Sequence, residues 1–153
     1  MEVFDMSRVL VLGAGMVARP LVRYLLDQSY DVTVATRTVS KAEALIGDDP
    51  HGTALPLLMD DLEGLGALVE AADVVLSLVP PPFHPRVAEI CLEKRKHLIT
   101  TSYLSPAMRA FDERAKVAGL LFLNEIGLDP GIDHMSAMRV IDDVHGRGGK
   151  IVG

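Results

Sequence analysis

The sequence feature that most constrains the fold is a glycine turn at residues 13–18 (GAGMVA), which directly follows the apolar run 9–12 (VLVL). A short apolar run of this kind is typical of a buried parallel strand. The glycines permit a tight turn, and they let the backbone approach a pyrophosphate closely. The N–H groups at the start of the following helix, and the positive end of its dipole, then face the anion. Because such spacing is common, its position between a strand and a helix is what favours a dinucleotide site over a turn that binds nothing.

The alternation of strands and helices along the chain predicts an α/β fold, a Rossmann-type doubly wound parallel sheet with helices on both faces. In the first helix, Val17, Leu21, Tyr24 and Leu25 recur with helical spacing and are expected to pack on the sheet. Residues 150–152 look like the start of a further strand, so we predict a fragment or a domain whose remainder is missing. The predicted strands are 8–12, 30–36, 55–59, 72–79, 97–101 and 120–124, and the predicted helices are 15–27, 39–46, 62–71, 87–94, 105–118 and 129–145.

Charge and composition exclude several classes of partner. The 153 residues carry a net charge of −6, which argues against a nucleic-acid partner, since such a partner requires a basic face. The apolar runs are too short to span a bilayer, and residues 1–8 lack the form of a secretion signal, so we predict a soluble cytoplasmic protein with no membrane partner. Cys91 is the one cysteine, which excludes an internal disulfide and a cysteine metal cluster. Its apolar helical surroundings predict a buried thiol, and no metal site is predicted.

The end of the second predicted strand indicates which cofactor is bound. Enzymes that prefer NAD usually place Asp or Glu there to bind the ribose 2′-hydroxyl, but this chain reads Ala35-Thr36-Arg37-Thr38. A carboxylate would repel a 2′-phosphate, whereas the Arg37 guanidinium can bind it through two parallel hydrogen bonds. Thr36 and Thr38 add hydroxyl donors. The pattern favours NADP over NAD, and the alternative for Arg37 is a solvated loop charge.

Two residues after predicted strands have competing interpretations. Asp60 is placed to accept from an adenine amino group, but it is equally a candidate cap for helix 62–71. His84 follows three prolines in a loop, and a loop histidine without identified partners is more often not catalytic.

Ligands of open α/β sheets lie beyond the carboxyl ends of the strands, so Val79 and Pro80 are expected to border the nicotinamide ribose.

Five segments together resemble one family, the L-glutamate-forming saccharopine dehydrogenases, also called saccharopine reductases. The resemblance extends from residue 9 to residue 151, and its last two segments are more specific than the glycine turn. It implies interconversion of saccharopine with glutamate and aminoadipate semialdehyde in lysine metabolism, with NADP or NAD as cofactor. The segments are GAGMVARP, VTVATRT, LSLVP, TTSYLSPAM and NEIGLDPGIDH.

The resemblance also implies a role for individual residues. The pyrophosphate would be bound by Gly13, Ala14, Gly15, Met16 and Val17; the ribose and 2′-phosphate by Thr36, Arg37 and Thr38; the adenine by Asp60 and Asp61; the second ribose by Val79 and Pro80; the nicotinamide by Leu128 and Pro130; and the substrate by Ser102, Tyr103 and Asp129.

Tyr103 and Asp129 are the candidate catalytic residues. Hydride transfer to an imine carbon depends mostly on positioning, while imine formation requires proton transfer. We expect Tyr103 and Asp129 to orient the substrate amine and a water. The alternatives are a packed aromatic at a strand end for Tyr103 and a helix cap for Asp129.

The resemblance further implies a division into domains. Residues 1–126 would form the nucleotide-binding domain, and residues 127–153 the first helix and strand start of a substrate and dimerisation domain. A substrate-binding arginine would then lie beyond Gly153, so this chain is expected to bind the cofactor without completing the active site, and the full-length protein to form a homodimer. The alternative functions are a carboxyspermidine-dehydrogenase-like enzyme and a non-catalytic nucleotide-sensing module.

Overall fold

A computed structural model describes residues 8–152 and shows a six-stranded sheet with helices on both faces. All neighbouring strands are parallel, in the order β3-β2-β1-β4-β5-β6. This order confirms the predicted doubly wound fold, in which the sequential order of the strands reverses between β1 and β4. The strands are β1 Arg8–Leu12, β2 Asp31–Thr36, β3 Gly52–Pro56, β4 Val74–Ser77, β5 His97–Thr100 and β6 Phe122–Leu123. The helices are α1 Ala18–Asp27, α2 Val39–Ile46, α3 Leu62–Ala71, α4 His84–Glu93, α5 Pro106–Arg109, α6 Asp112–Val117 and α7 Ile132–Gly146, and a 3₁₀ turn at Pro81–Phe83 precedes α4.

The sheet separates two apolar clusters, one under each layer of helices. Alternate residues of β1 enter different clusters because successive strand side chains point to opposite faces. Leu10 lies with Val69 of α3 and Cys91 of α4, whereas Val11 lies with Val22 of α1. Cys91 is buried as predicted, and burial raises the pKa of its thiol to about 12.

The first helix begins later than predicted and presents a different face to the sheet. It begins at Ala18 rather than Gly15, and its buried residues are Ala18, Val22 and Leu26. The predicted Val17 and Tyr24 are exposed. The reason is that residues 15–17 complete the glycine turn, closed by a hydrogen bond of 3.1 Å from the Ala18 N–H to the Gly15 carbonyl.

Two other elements differ in extent from the prediction, because contacts with other elements determine their bounds. β3 is Gly52–Pro56 rather than 55–59, because it pairs with all but the first residue of β2. The predicted helix 105–118 is two helices, α5 and α6, separated near Phe111, whose buried ring packs against Phe122.

The carboxyl-terminal residues also differ from the sequence prediction. The last helix begins at Ile132 rather than Asp129. No strand is present at residues 150–152 within the described part of the chain. The predicted lack of a secretion signal concerns residues 1–8, of which residues 1–7 lie outside the described ones. In residues 8–152, no helix has the length and apolar character needed to cross a membrane.

Candidate functional site

The two glycines of the turn are glycine for different reasons. Gly13 has a φ of +103°, and a Cβ there would lie 3.2 Å from the Leu78 carbonyl oxygen. Its N–H donates to the Ala35 carbonyl at 2.8 Å, which ties the turn to β2. At Gly15, by contrast, a Cβ would meet no protein atom within 4 Å. The fold therefore requires glycine at position 13, whereas position 15 leaves open space ahead of α1.

A cavity of about 700 Å³ lies over this turn, across the carboxyl ends of β1 to β4. Its volume is in the range of small-molecule binding sites. Nine of the predicted cofactor residues line it: Gly13, Ala14, Gly15, Thr36, Arg37, Thr38, Asp60, Val79 and Pro80. The rest of the wall is mainly apolar and was not predicted, with Ala35, Leu57, Leu58, Met59, Leu78 and Phe83 beside the basic Lys41.

Five predicted cofactor residues do not line the cavity. Met16 and Val17 belong to the turn but point outward, with exposed fractions of 100% and 65%. Leu128 is exposed and Pro130 is buried in the loop before α7, on the other half of the sheet edge. Asp61 is the fifth, and its carboxylate accepts from the Gly64 N–H at 2.9 Å as the cap of α3.

The position of Asp61 bears on the two interpretations of Asp60 that the sequence left open. The helix cap is Asp61, so Asp60 does not have that role. Asp60 instead contributes to the cavity wall, where its exposed carboxylate is available to a ligand.

The cavity has two basic side chains at its β2 end. Arg37 follows β2 directly, and Lys41 lies four residues later in the first turn of α2. Within residues 8–152, neither side chain takes part in an ion pair, so their charges are available to an anion. Sequence reasoning missed Lys41, although a second basic residue in the first turn of the helix that follows Arg37 was a usable signal.

His84 joins the ends of β4 and β5. Its Nδ1 is 3.0 Å from the Ser77 hydroxyl, and its Nε2 is 2.8 Å from the Ser102 hydroxyl. The residue is only 2% exposed, and burial lowers the pKa of the imidazole, which favours its neutral form. The sequence placed His84 in a loop and identified no partner for it, whereas the structure places it at the start of α4 with two serine partners. Serines at the ends of two neighbouring strands were the available signal.

Tyr103 and Asp129 are brought together from segments 26 residues apart, as the Tyr103 hydroxyl donates to the Asp129 carboxylate. The carboxylate raises the pKa of Tyr103, because it disfavours a phenolate beside it. Neither alternative interpretation is observed. Tyr103 is 60% exposed rather than packed, and α7 begins after Gly131 without a side-chain cap. Ser102 and Tyr103 adjoin each other, so the three predicted substrate residues lie at one place on the edge.

Comparisons with known proteins match most of the chain. The family model of the saccharopine dehydrogenase NADP-binding domain matches residues 9–123. The L-glutamate-forming, NADP(+) saccharopine dehydrogenase of Pyricularia oryzae is 47% identical over 143 residues, covering 94% of this chain and 32% of that protein. Its counterpart from Saccharomyces cerevisiae is 43% identical over 147 residues, covering 95% and 32%.

A solved structure gives the same result. The apo L-Glu-forming saccharopine dehydrogenase from Saccharomyces cerevisiae superposes with a TM-score of 0.79 at 42% identity, covering 92% of this chain and 32% of that one. The chain thus spans about a third of the length of these relatives.

Proposed function

The chain belongs to the family of the saccharopine dehydrogenase NADP-binding domain, and on that premise we propose that its cavity binds NADP as part of an oxidoreductase acting on CH–NH bonds. The reaction proposed for the whole enzyme interconverts saccharopine with glutamate and aminoadipate semialdehyde. The observation that carries the proposal is the shape and charge of the cavity. It is open where a pyrophosphate would meet Gly15 and is basic at the β2 end.

The residues present fit a dinucleotide with a 2′-phosphate. The space ahead of α1 suits a pyrophosphate, because the free N–H groups and dipole of a helix N-terminus attract anions. Arg37 and Lys41 would bind the 2′-phosphate, Arg37 through its planar fork and Lys41 as a point charge. The apolar Leu57 and Met59 would pack against the adenine, with Asp60 accepting from its amino group.

The second half of the edge would hold the substrate. NADP, when bound, supplies or accepts the hydride. We assign Asp129 to binding the substrate amine and Tyr103 to orienting that carboxylate through their hydrogen bond. A phenol whose pKa is raised stays protonated at neutral pH, so Tyr103 would act as a hydrogen-bond donor. The predicted homodimer and the boundary at residues 126 and 127 stay predictions.

Calorimetric titration of this chain with NADPH and NADH tests the proposal. We expect NADPH to bind at least about tenfold more tightly, because only NADPH carries the 2′-phosphate. Two smaller ligands serve as matched probes: 2′,5′-ADP should compete with NADPH, and 5′-ADP should compete at least about tenfold less well. Equal affinity for the two cofactors would refute the assignment of the basic end, and no binding of either would refute the cofactor site.

A further inference from the structure

The side chains of Ser77, His84 and Ser102 form a continuous hydrogen-bonded row along the carboxyl edge of the sheet. Ser77 is the last residue of β4, His84 is the first of α4, and Ser102 follows β5. The row begins in the core, where Ser77 is fully buried, and ends at the partly exposed Ser102. It adjoins Tyr103, in the part of the edge where substrate binding is proposed.

The buried end determines the direction of the hydrogen bonds. Within residues 8–152, His84 Nδ1 is the one hydrogen-bond partner of the Ser77 hydroxyl. A buried O–H without an acceptor is strongly disfavoured, so Ser77 donates and Nδ1 accepts. A neutral imidazole carries one N–H, which must then be on Nε2. That N–H donates to the Ser102 oxygen, 2.8 Å away.

This direction has a consequence for Ser102. Because its oxygen accepts from His84, its own hydroxyl hydrogen must point away from the imidazole. We propose that His84 is a positioning residue, which makes Ser102 a fixed hydrogen-bond donor to an acceptor oxygen of a ligand at this edge. The ligand part of the proposal rests on the proposed function. The acceptor is a carbonyl or carboxylate oxygen, supplied either by the nicotinamide carboxamide or by a substrate carboxylate.

The tautomer of His84 tests the hydrogen-bond direction without any ligand. In ¹⁵N-labelled protein at neutral pH, with His84→Gln used for assignment, we expect Nε2 to resonate as a protonated nitrogen and Nδ1 as an unprotonated one. In Ser77→Ala the donor to Nδ1 is lost, so both nitrogens should move toward values for a mixture of tautomers. Protonation of Nδ1 in the unsubstituted protein would overturn the proposal, whatever the chain binds.

Calorimetry then tests what Ser102 donates to. The probes are NADPH, 2′-phospho-ADP-ribose, which lacks the nicotinamide, and glutamate added to the NADP-bound chain. We expect His84→Phe and Ser102→Ala to weaken one ligand by similar factors of about five to tenfold. The double variant should lose little more than either single variant. His84→Gln keeps an N–H donor and should restore most of the binding.

The pattern of loss identifies the acceptor. Loss for NADPH but not for 2′-phospho-ADP-ribose indicates the carboxamide, and loss for glutamate alone indicates a carboxylate. Melting temperatures identify any variant that does not fold. If His84→Phe does not fold, Ser102→Ala is compared with His84→Gln instead. Unchanged affinity for all three ligands in Ser102→Ala would overturn the donor role.

Discussion

The two halves of the carboxyl edge differ in how their polar groups are satisfied. Over β1 to β3, the cavity, which extends to the end of β4, is lined by a glycine turn and by basic side chains that form no ion pairs within residues 8–152. Over β4 to β6, the polar side chains bind one another across strands. His84 lies between Ser77 and Ser102, Tyr103 donates to Asp129, and Thr100 donates to Asn124 at 3.1 Å.

The difference indicates how each half contributes to binding. The first half provides charge and space that an anionic ligand would fill. The second half already has its polar groups in fixed positions, so its residues can orient a ligand with little rearrangement. Except at Gly13, which the fold itself requires, substitutions in the first half should therefore reduce binding with little effect on stability, whereas substitutions in the second half should alter hydrogen bonds within the protein.

The largest effect is expected for Gly15→Val. The new side chain would occupy space that is free of protein atoms, where we place the pyrophosphate. We expect NADPH affinity to fall about 100-fold while the melting temperature changes little. The matched variant Gly13→Val should instead destabilise the fold, because its φ of +103° is unfavourable for valine. Calorimetry and thermal unfolding measure both, and wild-type affinity in Gly15→Val would contradict the placement.

Arg37→Asp should have the next largest effect. Reversing the charge at the basic end should weaken NADPH binding by about tenfold or more and spare NADH. Titration with both cofactors checks this, with Arg139→Asp on the exposed α7 as a control of equal charge change. Equal losses for the two cofactors would remove Arg37 from the 2′-phosphate site.

The smaller contribution of Lys41 should appear in Lys41→Ala as a loss of about threefold, again for NADPH alone.

A smaller effect, on stability and not on binding, is expected at the amino ends of the strands, which lie opposite the cavity. Arg8 of β1 donates to the Asp73 carboxylate before β4, with a closest N–O distance of 2.6 Å, and this holds the pKa of Asp73 below its ordinary value of 3.8. A lowered carboxyl pKa stabilises the fold above that ordinary value, and the stabilisation is lost as the pH falls through the folded-state pKa. We expect Asp73→Asn to lower the melting temperature by about 3 °C at pH 7.

The pH dependence and the cofactor affinity provide the checks on that variant. Its difference from the unsubstituted protein should shrink below pH 3.8, as the carboxyl becomes protonated. NADPH affinity at pH 7 should be unchanged, because Asp73 does not line the cavity. A pH-independent difference in melting temperature would exclude the charge of Asp73 as the cause.

The smallest effect concerns the ionisation of Tyr103. Its pKa is raised by the hydrogen bond to Asp129, so Asp129→Asn should lower that pKa toward the ordinary value of 10.0. The phenolate absorbance during alkaline titration measures this, and subtraction of the Tyr103→Phe titration isolates Tyr103 from Tyr24 and Tyr30. An unchanged Tyr103 pKa in Asp129→Asn would show that the pair does not form in solution.

Much of the fold was predictable because its signals are local. The bounds of β1, α2 and α3 agree with the prediction, because the residue patterns that define each of these elements are contiguous in sequence. Errors arose where one element depends on another. β3 takes its register from β2, and the start of α1 follows the length of the glycine turn.

The candidate site likewise has a part that local sequence patterns predicted and a part that depends on contacts between distant segments. The glycine turn and the absence of an acidic residue after β2 are short, contiguous patterns, so the sequence alone indicated an anionic cofactor and its 2′-phosphate. The roles of His84 and of the Tyr103–Asp129 pair depend on strands and loops far apart in the chain. Hydrogen bonds between such groups exist only once parallel pairing has brought the strand ends to one edge, and for that reason the folded structure was needed to find them.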